Sequence, residues 1–204
     1  MLSIFLPYAN IAQAEAQAPT TMMEYYESIP SKYFIPTIRD FIGKTKAQRN
    51  GAFYIDKEEG VPAEVDEKNM YIHVPTADSF GDYDASTSIA LFLGPQKTRT
   101  VAVESRACGI KCTNKRLYFL RYENQRWKNV TTKVFPGPAQ SRLKAAFKKY
   151  CAGGAQQQCI KNSFSYEIPQ EGTTIRVWSS MNDAVFYKLE WANGRFTGSE
   201  VNAS

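Results

Sequence analysis

Histidine and cysteine are scarce in this chain, and the scarcity narrows its chemistry. His73 is the only histidine among 204 residues, so any imidazole acid, base or ligand has to be that residue. It stands in MYIHV, where Met70, Ile72 and Val74 alternate to one side of a strand and Tyr71 and His73 to the other. No GxSxG elbow and no catalytic-cysteine context accompany it, so no catalytic residue is assigned. A glycine-rich phosphate cradle is also missing.

The four cysteines form two local pairs, Cys108 with Cys112 and Cys151 with Cys159. Paired zinc ligands are usually separated by about two to four residues, and the second pair is too widely spaced for that. In an oxidising compartment the expectation is two local disulfides, each closing a short loop and acting mainly as a clamp on local shape. The loop from Asp78 to Ser88 gathers Asp78, Asp82, Asp84, Ser86 and Ser88. It misses the calcium-loop pattern, with Thr87 where glycine is wanted and Leu93 where glutamate is wanted. No metal and no cofactor are expected.

Long apolar runs are absent too, so no transmembrane segment is expected. The nearest candidate, Leu2 to Ala12, is followed by small residues at Ala14, Ala16 and Ala18, the pattern of a secretory signal peptide. Cleavage is expected after Ala14 or Ala16, since Pro19 disfavours the Ala18 site. That division gives residues 1–14 as a signal peptide and 15–204 as a single domain, secreted or periplasmic. No lysine or arginine precedes the run, so a truncated N-terminus is part of the same expectation. The first cysteine is Cys108, which excludes a lipid anchor at the cleavage site.

Acids are nearly missing from the middle of the chain. Residues 106–149 hold 12 Lys or Arg against one acid, Glu123, whereas residues 1–105 hold 9 against 14. The block contributes Arg121, Arg126 and Lys128 on a predicted hairpin and Lys144, Lys148 and Lys149 on a predicted helix. Clustered cations attract polyanions over long range. An anionic envelope polymer or an acidic exported protein is the expected partner, ahead of nucleic acid. The competing account is internal compensation by the acidic first half.

What the chain does have is strand. Eight short runs carry strand-like residues between Gly, Pro, Asn or Asp turns: 70–74, 88–93, 99–105, 116–122, 126–131, 173–179, 184–191 and 194–199. Thr21 and Glu24 form a capping box for a helix over Met22–Ser28 stopped by Pro30, and a further helical turn is expected from Pro36. Ser141 is read as the N-cap of an amphipathic helix over about 141–152, with Leu143, Ala146, Phe147 and Tyr150 on one face. These elements predict an α+β fold, mainly antiparallel sheet built from hairpins, with a short N-terminal helical region and one amphipathic helix.

Two hairpins echo each other. YFLRYENQRW (Tyr118–Trp127) and YKLEWANGRF (Tyr187–Phe196) share Tyr, Leu, an aromatic, Asn, Arg and a final aromatic in the same columns. Asn193-Gly194 is a strong type I′ turn signal. It sets Trp191 opposite Phe196, and the same register sets Tyr122 opposite Trp127. One face of each ribbon is then aromatic and the other mostly charged, so the rings of both are expected to turn inward to a common interior rather than form an exposed stacking platform. The functional expectation is a non-enzymatic exported binding protein with a basic surface. An envelope-polymer hydrolase drawing on acids of the 56–84 region, among them Asp56, Glu58, Glu59 and Glu64, is the alternative.

Overall fold

The computed structural model describes residues 18–34, 53–54, 62–77, 84–108, 116–152, 164–179 and 184–201. The helical turn expected from Pro36 lies outside them. The fold is α+β and mostly antiparallel sheet. A seven-stranded meander runs β1 (Phe53–Tyr54), β2 (Pro62–Asp66), β3 (Tyr71–Ala77), β4 (Asp84–Leu93), β5 (Arg99–Cys108), β6 (Arg116–Glu123) and β7 (Arg126–Asn129), with neighbours in chain order. After two helices a second, four-stranded meander follows: β8 (Phe164–Glu167), β9 (Thr174–Ser179), β10 (Val185–Ala192) and β11 (Arg195–Glu200). Each of the eight expected runs overlaps a strand. Sequence reasoning missed β1, which is only two residues long, and β2 and β8, which are short and carry acidic or polar residues.

Helix α1 (Met22–Ser28) begins at the expected capping box. The Thr21 side chain accepts from the Glu24 amide, and Glu24 in turn accepts from the Thr21 amide, each at 3.2 Å. It ends before Pro30. Helix α2 (Thr131–Val134) is a single turn, and α3 (Gly137–Ala152) is the amphipathic helix. The expected start at Ser141 is corrected to Gly137. The Pro136 carbonyl accepts from Ala139 and Gln140 at 2.9 and 3.1 Å, and Pro138 sits in the first turn, where its missing N–H is no loss. Ser141 is an exposed residue inside the helix. Ala139, Leu143, Ala146 and Phe147 are buried along one face, as the spacing predicts.

Both hairpins have the expected register, Tyr122 opposite Trp127 and Trp191 opposite Phe196. Their turns take positive φ at both central residues, Asn124 and Gln125 in one and Asn193 and Gly194 in the other. The expected common interior is not what forms. Leu120 is buried, and Tyr118 and Trp127 are half-buried, under α1 and the segment after it; Trp127 meets Tyr25 edge-on at 6.0 Å. Tyr187, Leu189 and Phe196 lie in a different core, on the other side of the seven-stranded sheet, with α2 and α3. The physical reason is that this sheet is covered on both faces. Phe119, which shares its side of β6 with Leu117, Arg121 and Glu123, is fully buried and meets Phe196 at 4.7 Å, and Leu117 packs against the same core. A bulge on β10 adds to the second core: Val185 and Tyr187 pair with successive residues of β9, and both Phe186 and Tyr187 are buried.

The face of β4 and β5 turned to the second sheet changes character along its length. Ala90 and Phe92 on β4, and Ala102 on β5, belong to the second core. Two and four residues back on β4 the same side carries Ser88 and Ser86, and further on along β5 it carries Glu104 and Arg106. The apolar half receives β11 and the end of β10. Trp191 closes that end, its indole donating to the Leu93 carbonyl at 2.8 Å. The polar half stays open.

Candidate functional site

Over the polar half the two sheets leave a cleft of about 980 Å³. One wall is a row running straight across four strands, because antiparallel pairing sets Glu64 opposite His73, His73 opposite Ser88, and Ser88 opposite Glu104. Directly opposed residues share a face, so one side chain from each of β2 to β5 projects to this side. His73 Nδ1 and the Ser88 hydroxyl share a hydrogen bond of 2.9 Å. Ser88 is 7% exposed and Glu104 1% exposed. Burial pushes the Tyr71 phenol above its ordinary value; a hydrogen bond with Ser88 offsets part of this, and the charges of Glu64, Glu104 and Glu167 add to it.

The next row outward sets Ser86 opposite both Pro75 and Arg106. Ser86 is 1% exposed, lies behind the cleft lining, and its hydroxyl has no hydrogen-bond partner among the described residues. The Arg106 Nε is likewise buried without a partner, and the guanidinium lies over the Trp178 ring at 5.5 Å.

The other wall is the outer face of the second sheet. Alternation sends Ile175 and Val177 of β9 into the core and leaves Thr174, Arg176 and Trp178 on the cleft; Lys188 and Glu190 of β10 join them. Arg176 is ion-paired with Glu167. Burial drives the Tyr166 phenol far above its usual value. At the rim, Gln170 donates to Asp66 at 3.1 Å, and hydrogen bonds from Asn69 first, then Gln170, hold the Asp66 carboxyl below its usual range. The cleft thus offers both signs of charge, neutral hydroxyls and the aromatic rings of Tyr71, Tyr166 and Trp178.

The six basic residues singled out by sequence lie elsewhere, and none lines the cleft. Arg121 is half-buried and donates to Thr100 at 3.0 Å. Lys128 pairs with Glu123 at 3.0 Å, and Lys149 pairs with Glu200 at 2.6 Å. Arg126, Lys144 and Lys148 are exposed. The cations that do reach the cleft are Arg106, Arg176 and Lys188. Of the acids weighed in the 56–84 region only Glu64 is at the site; the side chains of Asp56, Glu58, Glu59, Asp78, Asp82 and Asp84 lie outside the described residues. Cys151 is disulfide-bonded, while Cys112, Cys159 and the side chain of Cys108 lie outside them. Among the described residues no group of three or more His, Cys, Asp or Glu could hold a metal ion, and no helix is long and apolar enough to cross a membrane.

Sequence reasoning missed Glu104, Arg106 and Trp178, and weighed Ser86 and Ser88 only as oxygens of a calcium loop. The available signal was a polar residue at every second place in otherwise apolar strands, on the parity where Ala90, Phe92 and Ala102 continue the core.

No protein-family model matches the chain, and no curated protein matches it. Among solved structures it is similar to a domain of an uncharacterized protein from Porphyromonas gingivalis W83. The TM-score is 0.56 at 10% identity, over 87% of this chain and 97% of that one. The likeness is one of fold alone.

Proposed function

We propose that this is an exported binding protein, secreted or periplasmic and without catalytic activity of its own, which holds a ligand in the cleft between its two sheets. The observation that carries the reading is the cleft itself: about 980 Å³, walled by both sheets, and lined by an arginine whose buried Nε has no partner among the described residues. Buried polar groups are normally satisfied, and a ligand-binding cleft is where exceptions are expected. The Cys151 disulfide supports an oxidising compartment. We assign the pairs Cys108–Cys112 and Cys151–Cys159, and residues 1–14 as the export signal, in line with it. The exposed Arg126, Lys144 and Lys148 would add attraction to anionic envelope material or an acidic exported partner.

A melting-temperature screen against fractionated envelope extract tests the reading. A fraction should stabilise the wild type and fail to stabilise Thr174→Trp, which puts an indole into the cleft from a half-buried strand position. Equal stabilisation of both proteins, or of neither, removes the cleft as the binding site.

One observation favours hydrolysis as a second reading: the 2.9 Å bond between His73 and Ser88, with Glu64 opposite His73. Acid, imidazole and hydroxyl in that order are the parts of an activated serine. A fluorophosphonate probe should then label the wild type and not Ser88→Ala. Absence of labelling leaves the binding role.

A further inference from the structure

The cleft carries both signs of charge, Arg106, Arg176 and Lys188 with Glu64, Glu167, Glu171 and Glu190, and on the wall made by the first sheet Arg106 and Glu64 stand at opposite ends. Arg106, with the Trp178 ring beneath its guanidinium and its Nε without a partner among the described residues, makes one end that accepts an anion. Glu64, at the far strand of the row, is exposed and carries the opposite sign. From β5 to β2 there are three strand spacings, and Arg106 lies two residues further out than the row holding Glu64, so the two ends are about 16 Å apart. Between them stand Glu104, buried two residues from Arg106 on the same face, and the hydrogen-bonding groups of Ser88, His73 and Tyr71.

Resting on the cleft as a ligand site, the geometry points to a short extended peptide as the ligand, its C-terminal carboxylate on Arg106 and its N-terminal ammonium toward Glu64. A carboxylate matches the planar fork of an arginine, and stacking on Trp178 fixes the plane in which that fork is presented. An extended chain advances about 3.3 to 3.6 Å per residue, so four to five residues span the two ends. Their amides meet the neutral hydrogen-bonding groups on the way. A polyanion fits poorly, because Glu64, Glu171 and Glu190 also line the cleft and would repel it.

The test uses pentaalanine with free ends, its C-terminal amide and its N-acetyl form, with binding to the full-length exported protein followed by calorimetry and by the Trp178 indole signal. Free pentaalanine should bind, and amidation should weaken it about ten- to a hundredfold, the scale of a hydrogen-bonded charge contact. Arg106→Gln should bind the free and amidated peptides alike, at the level of the amide on wild type. N-acetylation should weaken binding to the wild type and not to Glu64→Gln. Equal binding of free and amidated peptides to the wild type overturns the proposal. If no peptide binds while an extract fraction still stabilises wild type over Thr174→Trp, the peptide assignment falls and the binding function stands; if that stabilisation is also missing, both fall.

Discussion

Gly198 on β11 shows how one missing side chain shapes the second core. A Cβ built there would lie 2.5 Å from the Tyr187 Oη and 2.7 Å from its Cζ, closer than such atoms approach. Tyr187 is 2% exposed, so its ring has nowhere to retreat without disturbing its neighbours. Gly198→Ala should therefore destabilise by about 1 to 3 kcal/mol, the usual range for forcing volume into a packed core. Urea denaturation reads this as a lower midpoint at constant slope, and an unchanged midpoint would mean that the ring swings aside freely. The first hairpin presents the opposite case. Gln125 holds φ at 60° with its side chain exposed, in the turn position that glycine fills in the second hairpin. Left-handed backbone costs about 1 kcal/mol or more in an L-residue. Gln125→Gly should raise stability by about 0.5 kcal/mol or more after glycine's own entropy is counted, and a fall in the same denaturation series would contradict it.

At the scale of elements, the two echoed hairpins are one device used in two places. Each has a two-residue turn that fixes register and an aromatic side that needs cover. Trp127 touches Tyr25 and Tyr122, whereas Phe196 touches Phe92, Phe119 and Trp191, so no ring is common to both sets. Truncating fully buried Phe196 to alanine should cost about 3 to 5 kcal/mol. Trp127→Ala should cost less, since Trp127 is only half-buried. Because the residues lie in different cores, the double variant should equal the sum of the singles within about 0.5 kcal/mol. Coupling well above that would put the hairpins in one core after all. Register and strand positions are legible in the sequence because alternation and the Asn193-Gly194 turn are local signals. Which face of a strand meets which partner is not local. The hints that β6 is buried on both sides are Leu117 and Phe119, two apolar residues on the side that also carries Arg121 and Glu123.

For the molecule as a whole, the cleft illustrates why a site can be present in a sequence and still be hard to see there. Ser86, Ser88, Glu104 and Arg106 are visible as polar interruptions of apolar strands. They become a wall only once β3, β4 and β5 are aligned residue by residue, and they become a cleft only once Trp178, from the far end of the chain, is laid across from them. The basic block suffers the reverse: it is conspicuous as composition, yet Lys128 and Lys149 spend their charge on Glu123 and Glu200. The cleft also links the sheets to pH through Tyr71 and Tyr166, one from each wall. Burial raises both phenols above their ordinary value of 10.0. A raised acid keeps its proton more firmly folded than unfolded, so its contribution is complete below the unfolded value and is lost as pH climbs past it. At the acid end the signs reverse. Asp66, held low by Asn69, and Glu123, held low by Lys128, contribute only while ionised, and that contribution fades as pH falls through the carboxylate range. Melting temperature should accordingly be flat near neutrality and fall above about pH 10. In Tyr166→Phe the alkaline fall should be shallower while the acid limb is unchanged. Superimposable alkaline limbs for the two proteins would show that the Tyr166 phenol ionises as freely folded as unfolded, and that water already fills the space between the walls.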